Sequence, residues 1–575
     1  MSIRGNWDRR RVEAVSRLGE IDRRTFVKLS GMGAAALIFG AGPFTEKTWA
    51  RPLFSSYPFS LGVASGDPFS DGVVLWTRLA PDPLKGGGMP KKSVSVQWEV
   101  ANDGGFSDVI QKGVTYAYPE LAHTVHVEVG GLAPSREYFY RFKAGSEISP
   151  VGRTKTAPAL GANVAEMAFA FVSCQMYEHG YYTAYRRMAE LENLDLVVHL
   201  GDYIYEYGPN VYKAQSGNVR THSGPETITL SDYRNRHAQY KTDADLQAAH
   251  AAFPWVVTWD DHEVENNYAD EIPSPSSQTP TTEEFLRRRA AAYQAYYEHM
   301  PLRRTSVPSG PDMLLYRRIA YGNLAEFNVL DTRQYRDDQA AGGGRDAPNP
   351  EQQDPTRTIT GPEQETWLLN GLYASRATWK VLAQQVFFAQ RDFDTSDGEL
   401  YAMDPWDGYW GSRDRILDYI GMNQIQNPVV LTGDVHNSWA SELKANFYDP
   451  NSATLGVEFV GSAVTSGGDG AGTSSTQQEI IAENPHVKFF NGQRGYVRCR
   501  LTPQEWRTDY RVLPFVSQPD QPISTKATFA VQAGNPSLQQ VYDAAPVGVA
   551  VSSALIESDA ERMRAQREAD RSGRR

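Results

Sequence analysis

Five segments of the sequence place residues of metal-binding types directly after short apolar stretches. Cys174 follows AFAFVS, Asp202 follows LVVHLG, and Tyr205 lies three residues beyond Asp202. The residues that follow the other three stretches, WVVTW, FNVL and VVLTG, are Asp260, Asp261, His262, Glu263, Asn266, Asp331, Arg333, Asp434 and His436. One aspartate after a glycine often does no more than stabilise a turn, but five such segments together predict a shared site.

The types of side chain in this set suggest two different metal ions. A phenol such as Tyr205 gives up its proton readily only to a hard, highly charged ion, of which ferric iron is the usual example. A thiolate from Cys174 also favours a transition metal. Asp434 and Asn266 offer oxygen atoms, which suit a hard ion such as calcium. Asp202 stands alone at the end of its stretch, so its carboxylate can bridge two neighbouring ions.

Strands and helices must alternate along the chain to bring these five segments together. From about residue 165 the apolar stretches alternate with helical segments such as GYYTAYRRMAEL and TEEFLRRRAAAYQAYYEHM. This alternation predicts an α/β catalytic domain over residues 165–515. Because ligands of such sheets collect beyond the carboxyl ends of the strands, we expect the five segments at one edge.

The regions on either side of this domain have different patterns. Residues 58–158 contain short alternating strands such as SVSVQWEVA and EYFYRFKAG, which predict an all-β sandwich of the immunoglobulin or fibronectin III type. Residues 516–575 are weakly patterned and end in a charged stretch, so the sequence assigns them to a C-terminal tail.

Composition restricts the class of partner. The chain has 575 residues and a formal net charge of −12, and a diffuse acidic surface repels nucleic acid and anionic membranes. We therefore expect no nucleic-acid partner, and an anionic substrate would need a local positive charge such as a bound cation. Beyond the N-terminus no segment is apolar over the roughly 20 residues that a stable membrane span requires. With Cys174 and Cys499 as its two cysteines, the chain has no disulfide framework, and Cys499 is expected in the core.

Residues 1–50 resemble a twin-arginine signal peptide. The paired Arg23 and Arg24 precede a short apolar run, and the string TWA at residues 48–50 is typical of a cleavage site. This similarity predicts a secreted, extracytoplasmic protein of the periplasm or cell wall. The twin-arginine translocation machinery would then be a partner, and it is suited to exporting a folded protein with its metal already bound.

The motifs themselves resemble those of one known family. The strings SCQ, GDYIYEYGPN, WDDHEVENNY, NVLDTRQYRDDQ, WDGY and LTGDVHNSW are together similar to the PhoD-type alkaline phosphatases of the metallophosphoesterase superfamily. The likeness extends over nearly the whole chain, from the export signal to Arg511. It implies a four-layer α/β/β/α sandwich that binds one ferric ion and calcium.

The resemblance also implies a ligand set when its motifs are placed on this sequence. The residues that would hold iron are Cys174, Asp202, Tyr205 and His436, and those that would hold calcium are Asp202, Asn266 and Asp434. The commoner superfamily pattern has aspartate at the position of Cys174 and histidine at that of Asp434. These two departures agree with each other, because the thiolate suits iron and the carboxylate moves the second site towards calcium.

Two assignments stay open. The commoner pattern has asparagine before its histidine where this chain has Asp261, so either Asn266, which we prefer, or Asp261 would supply the second-site ligand. A second calcium could also bind through Asp404 or Asp407 in the loop MDPWDGY.

The same motifs contain candidate catalytic residues. A phosphate ester resists hydrolysis because its negative oxygens repel a nucleophile, and two metals overcome this by clamping those oxygens and acidifying a water. Asp261 or His262 would protonate the leaving group or stabilise charge in the transition state. Arg333 would either bind phosphate oxygens or form a buried ion pair with Asp331.

These inferences predict an exported alkaline phosphatase and phosphodiesterase, a monomer that hydrolyses phosphate mono- and diesters for phosphate scavenging. One alternative is a phospholipase of the same catalytic fold, which a broad apolar lip near the site would favour. A second alternative is a catalytically inactive, calcium-dependent surface binding protein built on the sandwich domain. Iron and calcium content, together with hydrolysis of an aryl phosphate, separates these functions.

Overall fold

The computed structural model describes residues 54–544 of the chain. The expected signal peptide, residues 1–50, and the last part of the expected tail, residues 545–575, lie outside the described residues. Within residues 54–544, no helix combines the length and the hydropathy that a bilayer crossing requires.

Strands form most of the framework in these residues. In chain order they are β1 (Val63–Phe69), β2 (Gly72–Arg78), β3 (Val94–Ala101), β4 (Val109–Ala117), β5 (Thr124–Val129), β6 (Glu137–Ala144), β7 (Glu147–Ile148), β8 (Gly152–Lys155), β9 (Met167–Val172), β10 (Leu196–His199), β11 (Pro254–Val257), β12 (Arg317–Tyr321), β13 (Ala325–Val329), β14 (Arg345–Asp346), β15 (Trp379–Ala383), β16 (Tyr401–Ala402), β17 (Pro428–Thr432), β18 (Ser438–Lys444), β19 (Thr454–Val460), β20 (Val487–Asn491), β21 (Gly495–Leu501), β22 (Glu505–Val512), β23 (Ser524–Gln532) and β24 (Asn535–Asp543).

The α-helices of the described residues are, in chain order, α1 (Thr183–Leu191), α2 (Leu230–Lys241), α3 (Ala244–Ala252), α4 (Thr282–His299), α5 (Gly361–Ala374), α6 (Trp410–Met422) and α7 (Ser475–Glu483). Side-chain caps fix where several of them begin, and the hydroxyls of Thr229 and Thr281 each take part in a capping box. The stretch LSDYRNRHAQYKTDADLQAAHAAF, expected to be helical, is divided into α2 and α3. The division follows from Asp243, whose carboxylate accepts the amides of Asp245 and Leu246 and so starts α3.

A ten-stranded mixed sheet carries three of the five site segments. Its strand order is β24-β23-β22-β21-β9-β10-β11-β1-β2-β5. Its central strands β9, β10, β11 and β1 are parallel; Leu196 of β10 pairs with Phe169 of β9, and Val198 pairs with Val256 of β11. Because these strands run in one direction, the segments after β9, β10 and β11 meet at one edge.

A seven-stranded sheet of order β12-β13-β15-β17-β19-β18-β20 carries the other two segments. Strands β13, β15, β17 and β19 are parallel, so the segments after β13 and β17 also reach one edge. The five segments were expected at a single sheet edge, and they come instead from the edges of two sheets. The alternation of strands and helices in the sequence predicts parallel strands, but it does not show which strands pair with each other.

Apolar side chains fill the space between the two sheets. Phe169 of β9 lies edge to face with Phe327 of β13 and with Trp506 of β22, at ring distances of 5.1 Å and 5.7 Å. One hydrophobic cluster contains residues of both sheets, a second joins the ten-stranded sheet to α1–α4, and a third joins the seven-stranded sheet to α5 and α6. The result is a mixed α/β fold whose core holds both sheets in place.

The N-terminal strands are continuous with this core. Strands β3, β4, β6, β7 and β8 form a separate sheet, whereas β1, β2 and β5 extend the ten-stranded sheet. Val96 and Tyr140 of the separate sheet share a hydrophobic cluster with Leu75 of β2 and Val127 of β5. Strand β1 pairs with β11, so the N-terminal region is joined to a strand that leads into the site.

The start of the expected C-terminal tail is corrected by the structure. Residues 516–544 contain β23 and β24, and β23 pairs with β22 at the edge of the ten-stranded sheet. Ala527, Phe529 and Val531 of β23 are buried in the cluster between the sheets. Their alternation is short and lies between polar stretches, so it was too weak a signal to indicate a strand.

Candidate metal centre

Backbone contacts join the loops after β9, β10 and β11. The amide of Cys174 donates to the carbonyl of Gly201 (3.1 Å), and the amide of Gln175 donates to that of Asp202 (3.0 Å). Gly201 has a φ of 112°, and a Cβ there would lie 2.5 Å from the backbone nitrogen of Asp260. Glycine is therefore required where these loops touch.

A second glycine allows the edges of the two sheets to approach each other. A Cβ at Gly433, the residue after β17 and before Asp434, would lie 2.7 Å from the Cβ of Ser173. The loop after β19 closes another side, because the amide of Ser466 donates to the carbonyl of Cys174 (3.2 Å). The segments that carry Cys174 and Asp434 are thus adjacent although they follow strands of different sheets.

Cys174, Asp202 and His436 form the first group of ligand atoms. The thiol sulfur, a carboxylate oxygen and a ring nitrogen lie within 4.8 Å of one another, and all three side chains are buried. Tyr205 joins this group, because its hydroxyl donates to Oδ2 of Asp202 (2.8 Å) and lies 3.2 Å from Nε2 of His436. The four residues that the resemblance assigns to iron therefore lie side by side.

This group is unfavourable without a cation. Burial raises the pKa of Cys174 and of Tyr205 well above their ordinary values, and the nearby carboxylate of Asp202 raises both further. Burial likewise raises the pKa of Asp202, whose Oδ1 is buried and has no hydrogen-bond partner among the described residues. A cation would displace the protons and bind the unpartnered oxygen.

Asp202 also belongs to a second group, with Asp261 and His262. One ligand atom of each lies within 4.8 Å of the others, and these side chains too are buried. Asn266 lies on the same segment, and its backbone amide donates to Oε1 of Glu206 (2.8 Å). Its side-chain Nδ2 is buried without a partner among the described residues. The structure therefore brings Asp261 to Asp202 and places Asn266 five residues further along this loop.

Asp434 lies on the more exposed side of the site. Its side chain is 25% exposed, and its Oδ1 lies 3.9 Å from Nη2 of Arg333. Burial of its carboxyl raises its pKa well above the ordinary value, and the carboxylates of Asp260 and Asp404 raise it further. Asp434 belongs to neither ligand group within residues 54–544, although its charge acts on Cys174.

Four of the six expected ligands share an unusual backbone conformation. Cys174, Asp202, Asp434 and His436 have φ values of 59°, 56°, 59° and 57°. This left-handed region is uncommon for residues other than glycine, and non-glycine residues persist there when surrounding contacts hold them in place. Such strain concentrates at functional sites, which agrees with the placement of these four side chains.

A family model matches the part of the chain that contains these residues. A family model described as PhoD-like phosphatase matches residues 169–510, which include every expected ligand. The chain belongs to the PhoD-like phosphatase family. A second model, the N-terminal domain of PhoD-like phosphatases, matches residues 46–158.

Individual relatives agree with this family. Alkaline phosphatase D of Bacillus subtilis (strain 168) is 58% identical over 543 residues, which are 94% of this chain and 92% of that protein. A solved structure described as PhoD has a TM-score of 0.87 and 59% identity, and the match covers 91% of this chain and 99% of that one. These likenesses support a phosphatase hydrolase, and the solved structure has the same mixed α/β fold.

In this PhoD-like phosphatase His262 is oriented by a glutamate. Its Nδ1 lies 2.7 Å from Oε2 of Glu206, and the ring of Tyr205 lies 4.2 Å from the imidazole between centroids. Burial acts to lower the pKa of His262, but the carboxylates of Glu206, Asp261 and Asp202 outweigh it and raise the pKa well above its ordinary value. His262 therefore holds a proton within the second ligand group and next to Tyr205 of the first.

Arg333 is completely buried and holds two carboxylates. Its Nε donates to Oδ1 of Asp260 (2.5 Å), and its Nη1 and Nη2 donate to the two oxygens of Asp404 (2.8 Å and 3.0 Å). The ion pair considered with Asp331 does not form, since that carboxylate accepts the backbone amide of Arg333 instead (3.0 Å). The guanidinium group is nevertheless close to the second ligand group, because its Nη2 lies 3.9 Å from Oδ1 of Asp261.

The two aspartates considered for a second calcium are both bound to arginines. Asp404 accepts from Arg333 and also from Nη1 of Arg336 (2.9 Å). Burial acts to raise the pKa of Asp404, but these two guanidinium groups outweigh it and lower the pKa. Oδ1 of Asp407 accepts from Nη1 of Arg413 (2.5 Å). Positive side chains of the protein thus compensate both carboxylates.

Two buried glutamates organise the site, and neither was assigned a role from the sequence. Glu263 accepts the amides of Asp202 (3.1 Å), Tyr203 (2.6 Å) and Asp260 (2.9 Å), and so ties the loop after β10 to the loop after β11. Burial raises its pKa to about 8. Glu206 joins His262 to Asn266. The available signal was position, since each glutamate lies within a ligand-bearing motif, DYIYEY or DDHE.

The donor set fits a pair of metal ions. A thiol, a phenol, an imidazole and carboxylates converge, and two carboxylate oxygens, Oδ1 of Asp202 and Oδ2 of Asp260, are buried without a partner among the described residues. Cys174 is a free cysteine and is available as a ligand. Cys499 is also free and buried in the core, as expected, so no disulfide joins the two.

Proposed function

We propose that this chain is an exported alkaline phosphatase and phosphodiesterase that hydrolyses phosphate esters with a ferric iron and calcium centre, for phosphate scavenging. The observation that carries this proposal is the buried group of Cys174, Asp202, Tyr205 and His436. Within residues 54–544 no arginine or lysine forms an ion pair with Asp202, and its buried Oδ1 has no hydrogen-bond partner, so this oxygen is available to a bound cation. Membership of the PhoD-like phosphatase family supports the reaction type.

The ligands fall into two sets that share one residue. Cys174, Asp202, Tyr205 and His436 would hold ferric iron, and Asp202, Asp434 and either Asn266 or Asp261 would hold calcium. When bound, the ions supply positive charge that polarises the phosphate ester and lowers the pKa of a water. The pairing of Asp404 with Arg333 and Arg336 argues against a further calcium there.

The residues of the chain supply proton transfer and orientation. Because Glu206 binds Nδ1 of His262, Nε2 is the ring nitrogen left to donate a proton to the leaving-group oxygen. Such a transfer typically contributes about 10²–10⁴-fold to the rate. Asp261 fixes the turn that carries the histidine, because it accepts the amides of His262 (3.0 Å) and Asn267 (2.6 Å).

Arg333 would act on charge rather than by contact with phosphate. Its Nε donates to Asp260 and its Nη1 and Nη2 each donate to Asp404, so it holds these carboxylates in place. Burial acts to raise the pKa of Asp261, but Arg333 and His262 outweigh it and keep the pKa below its ordinary value. Asp261 therefore stays ionised, ready to bind a cation or to stabilise a protonated His262.

The finer architecture and the location of the protein belong to the same proposal. The clusters between the sheets and on their outer faces support a four-layer α/β/β/α sandwich, with a catalytic domain over residues 165–515. The match of the N-terminal family model, together with the separate sheet of β3, β4, β6, β7 and β8, supports an immunoglobulin or fibronectin III-like domain over residues 58–158, three of whose strands belong to the ten-stranded sheet. The twin-arginine motif in residues 1–50 supports export, and we expect a monomer.

The test uses protein folded and exported by its own cell. We expect elemental analysis to find iron with calcium, a visible tyrosinate-to-iron absorption band, and hydrolysis of 4-nitrophenyl phosphate and bis(4-nitrophenyl) phosphate. Tyr205→Phe should lose the band, whereas Tyr207→Phe, two residues along the same loop, should keep it. Protein that contains no iron, or a band that persists in Tyr205→Phe, would contradict the assigned centre.

A further inference from the structure

Arg391 is a buried arginine near the metal centre that has no role in the proposed function. It lies in the loop between β15 and β16, and its residue exposure is 6%. Its backbone amide donates to Oδ2 of Asp407 (2.9 Å), which fixes the position of the chain. The question is what its positive side chain binds.

The guanidinium of Arg391 makes no hydrogen bond and no ion pair with any residue between 54 and 544, and its Nε is completely buried. In this it differs from the other buried arginines of the described residues, each of which donates to a carboxylate, a carbonyl or a ring nitrogen. Those arginines are Arg78, Arg236, Arg288, Arg289, Arg333, Arg336, Arg413 and Arg494. An unpaired buried charge is costly, so this difference points to a partner that is not part of the protein.

Aromatic rings hold the side chain without neutralising it. The guanidinium carbon lies 4.0 Å from the ring centre of Phe387, 4.5 Å from that of Phe393 and 4.9 Å from that of Trp439. Arg345 stacks on the same Phe393 ring at 3.7 Å, which brings a second positive group close. Burial, and next the charge of Arg345, lower the pKa of Arg391 to about 10, so it stays protonated at neutral pH. Stacking positions the cation but leaves its hydrogen-bond donors free for an anion.

The loop that carries Arg391 belongs to the same sheet edge as the metal ligands. The carbonyl of Gln385, early in this loop, accepts the amide of Gly433, which precedes Asp434. Trp439, which stacks on Arg391, follows His436 by three residues. The backbone contact at Gly433 and the ring of Trp439 therefore place the guanidinium beside the segment that carries Asp434 and His436. The charges of Asp407, Glu458 and Asp434 act on Arg391, but none of them forms an ion pair with it among the described residues.

We propose that Arg391 is the anchor of a second anion subsite, which binds a phosphate group of the substrate other than the one that is hydrolysed. This inference rests on the proposed phosphatase function and adds a substrate class, namely phosphate esters that carry a further phosphate. A planar guanidinium with free donors binds phosphate oxygens in pairs, which the surrounding rings favour by fixing its plane.

The test compares two substrates that share the scissile group and the leaving group. Thymidine 5′-(4-nitrophenyl phosphate) has no second phosphate, and its 3′-phosphate derivative has one. With metal-loaded wild-type protein we expect a KM about tenfold lower for the 3′-phosphate, as one charge-assisted hydrogen-bonded contact provides. Arg391→Gln should remove this difference and leave hydrolysis of the first substrate within about twofold. Arg391→Lys, which keeps the charge but not the fork, should keep part of the preference.

Arg507→Gln is the matched control. Arg507 is partly exposed on β22, and its loss changes the net charge equally, so both KM values should stay at their wild-type levels. Equal KM values for the two substrates in wild-type protein would overturn the subsite while leaving the phosphatase function intact, and this comparison needs no variant. An equal loss on both substrates in Arg391→Gln, with a lower thermal midpoint, would show a structural role and also overturn it. Hydrolysis of neither substrate by wild-type protein would overturn the proposed function and the subsite with it.

Discussion

Asp202 is buried and Asp404 is partly buried in the same site, but the protein treats their charges in opposite ways. Asp404 accepts hydrogen bonds from Arg333, Arg336 and Gln339, and its pKa is lowered because the two guanidinium groups outweigh its burial. Asp202 accepts from the hydroxyl of Tyr205 and keeps one buried oxygen without a partner among the described residues. Burial raises its pKa well above the ordinary value.

This difference separates what folding completes from what a ligand must complete. The charge of Asp404 is compensated as soon as the chain folds, so its loss should affect stability. The charge of Asp202 is compensated when a cation binds, so its loss should affect metal content and rate.

Asp202→Asn should give the largest loss of activity. The change removes the carboxylate that both ligand groups share, and with it several kcal/mol of transition-state stabilisation, so kcat/KM for 4-nitrophenyl phosphate should fall about a thousandfold or more. Elemental analysis should show that iron and calcium are lost, while the metal-free variant should unfold at least as late as metal-free wild-type protein. An unchanged rate with unchanged metal content would refute the bridging role of Asp202.

Asp404→Asn should instead reduce stability. It leaves Arg333 and Arg336 buried with one carboxylate fewer, and breaking a buried ion pair of this kind costs about 3 kcal/mol or more. Urea unfolding of the metal-free protein measures this loss, and Asp202→Asn is the matched comparison. A variant that kept its stability but lost calcium would show that Asp404 is a metal ligand, and the contrast between the two aspartates would fail.

The two aspartates also show what the sequence could and could not predict. Asp202, like Cys174 and His436, follows a strand closely, so residue type and local position were enough to place it at the site. The partners of Arg333 could not be found in this way, because Asp260 and Asp404 lie 73 and 71 residues away along the chain. Ion-pair choice depends on which loops meet, and that follows from strand order.

Strand order was the main unknown at the level of the fold. The alternation of strands and helices predicted an α/β core, but it did not reveal that the segments of Asp202 and Asp434 follow strands of different sheets. A weak pattern also hid β23, whose Phe529 lies in the core between those sheets. Local apolar runs identified the buried central strands, whereas strand pairing and the weakly patterned β23 required tertiary contacts.

Glu206→Gln tests a third kind of carboxylate, one that binds a histidine side chain rather than a metal or an arginine. The amide should hold His262 less well in its proton-donating form, so kcat/KM should fall about 10–100-fold while iron and calcium stay bound. The fall should be greater for an alkyl phosphate than for 4-nitrophenyl phosphate, because a poor leaving group needs the proton more.

An exposed glutamate provides the control for Glu206→Gln. Glu190→Gln, on the exposed face of α1 beside Arg187, makes the same chemical change and should leave the rate at its wild-type value. An equal fall for both leaving groups, or a loss of iron, would mean that Glu206 supports the metal ligands rather than the histidine.

The pH dependence of stability should have opposite signs for the two aspartates in metal-free protein. The folded state raises the pKa of Asp202 above the ordinary 3.8, so folded protein holds the proton more tightly than unfolded chain, and stability falls as the pH rises above that value. The folded state lowers the pKa of Asp404 below 3.8, so its stabilisation is present above that pH and is lost as the pH falls through the lowered pKa. Each effect has a slope of at most ~1.4 kcal/mol per pH unit. Urea unfolding of the metal-free variants across this pH range measures both effects. Asp202→Asn should reduce the fall in unfolding free energy as the pH rises above 3.8. Asp404→Asn should reduce the fall in unfolding free energy as the pH drops below 3.8. If both variants kept the wild-type slopes, neither carboxylate would be perturbed as the structure indicates, and bound metal would not be needed to compensate Asp202.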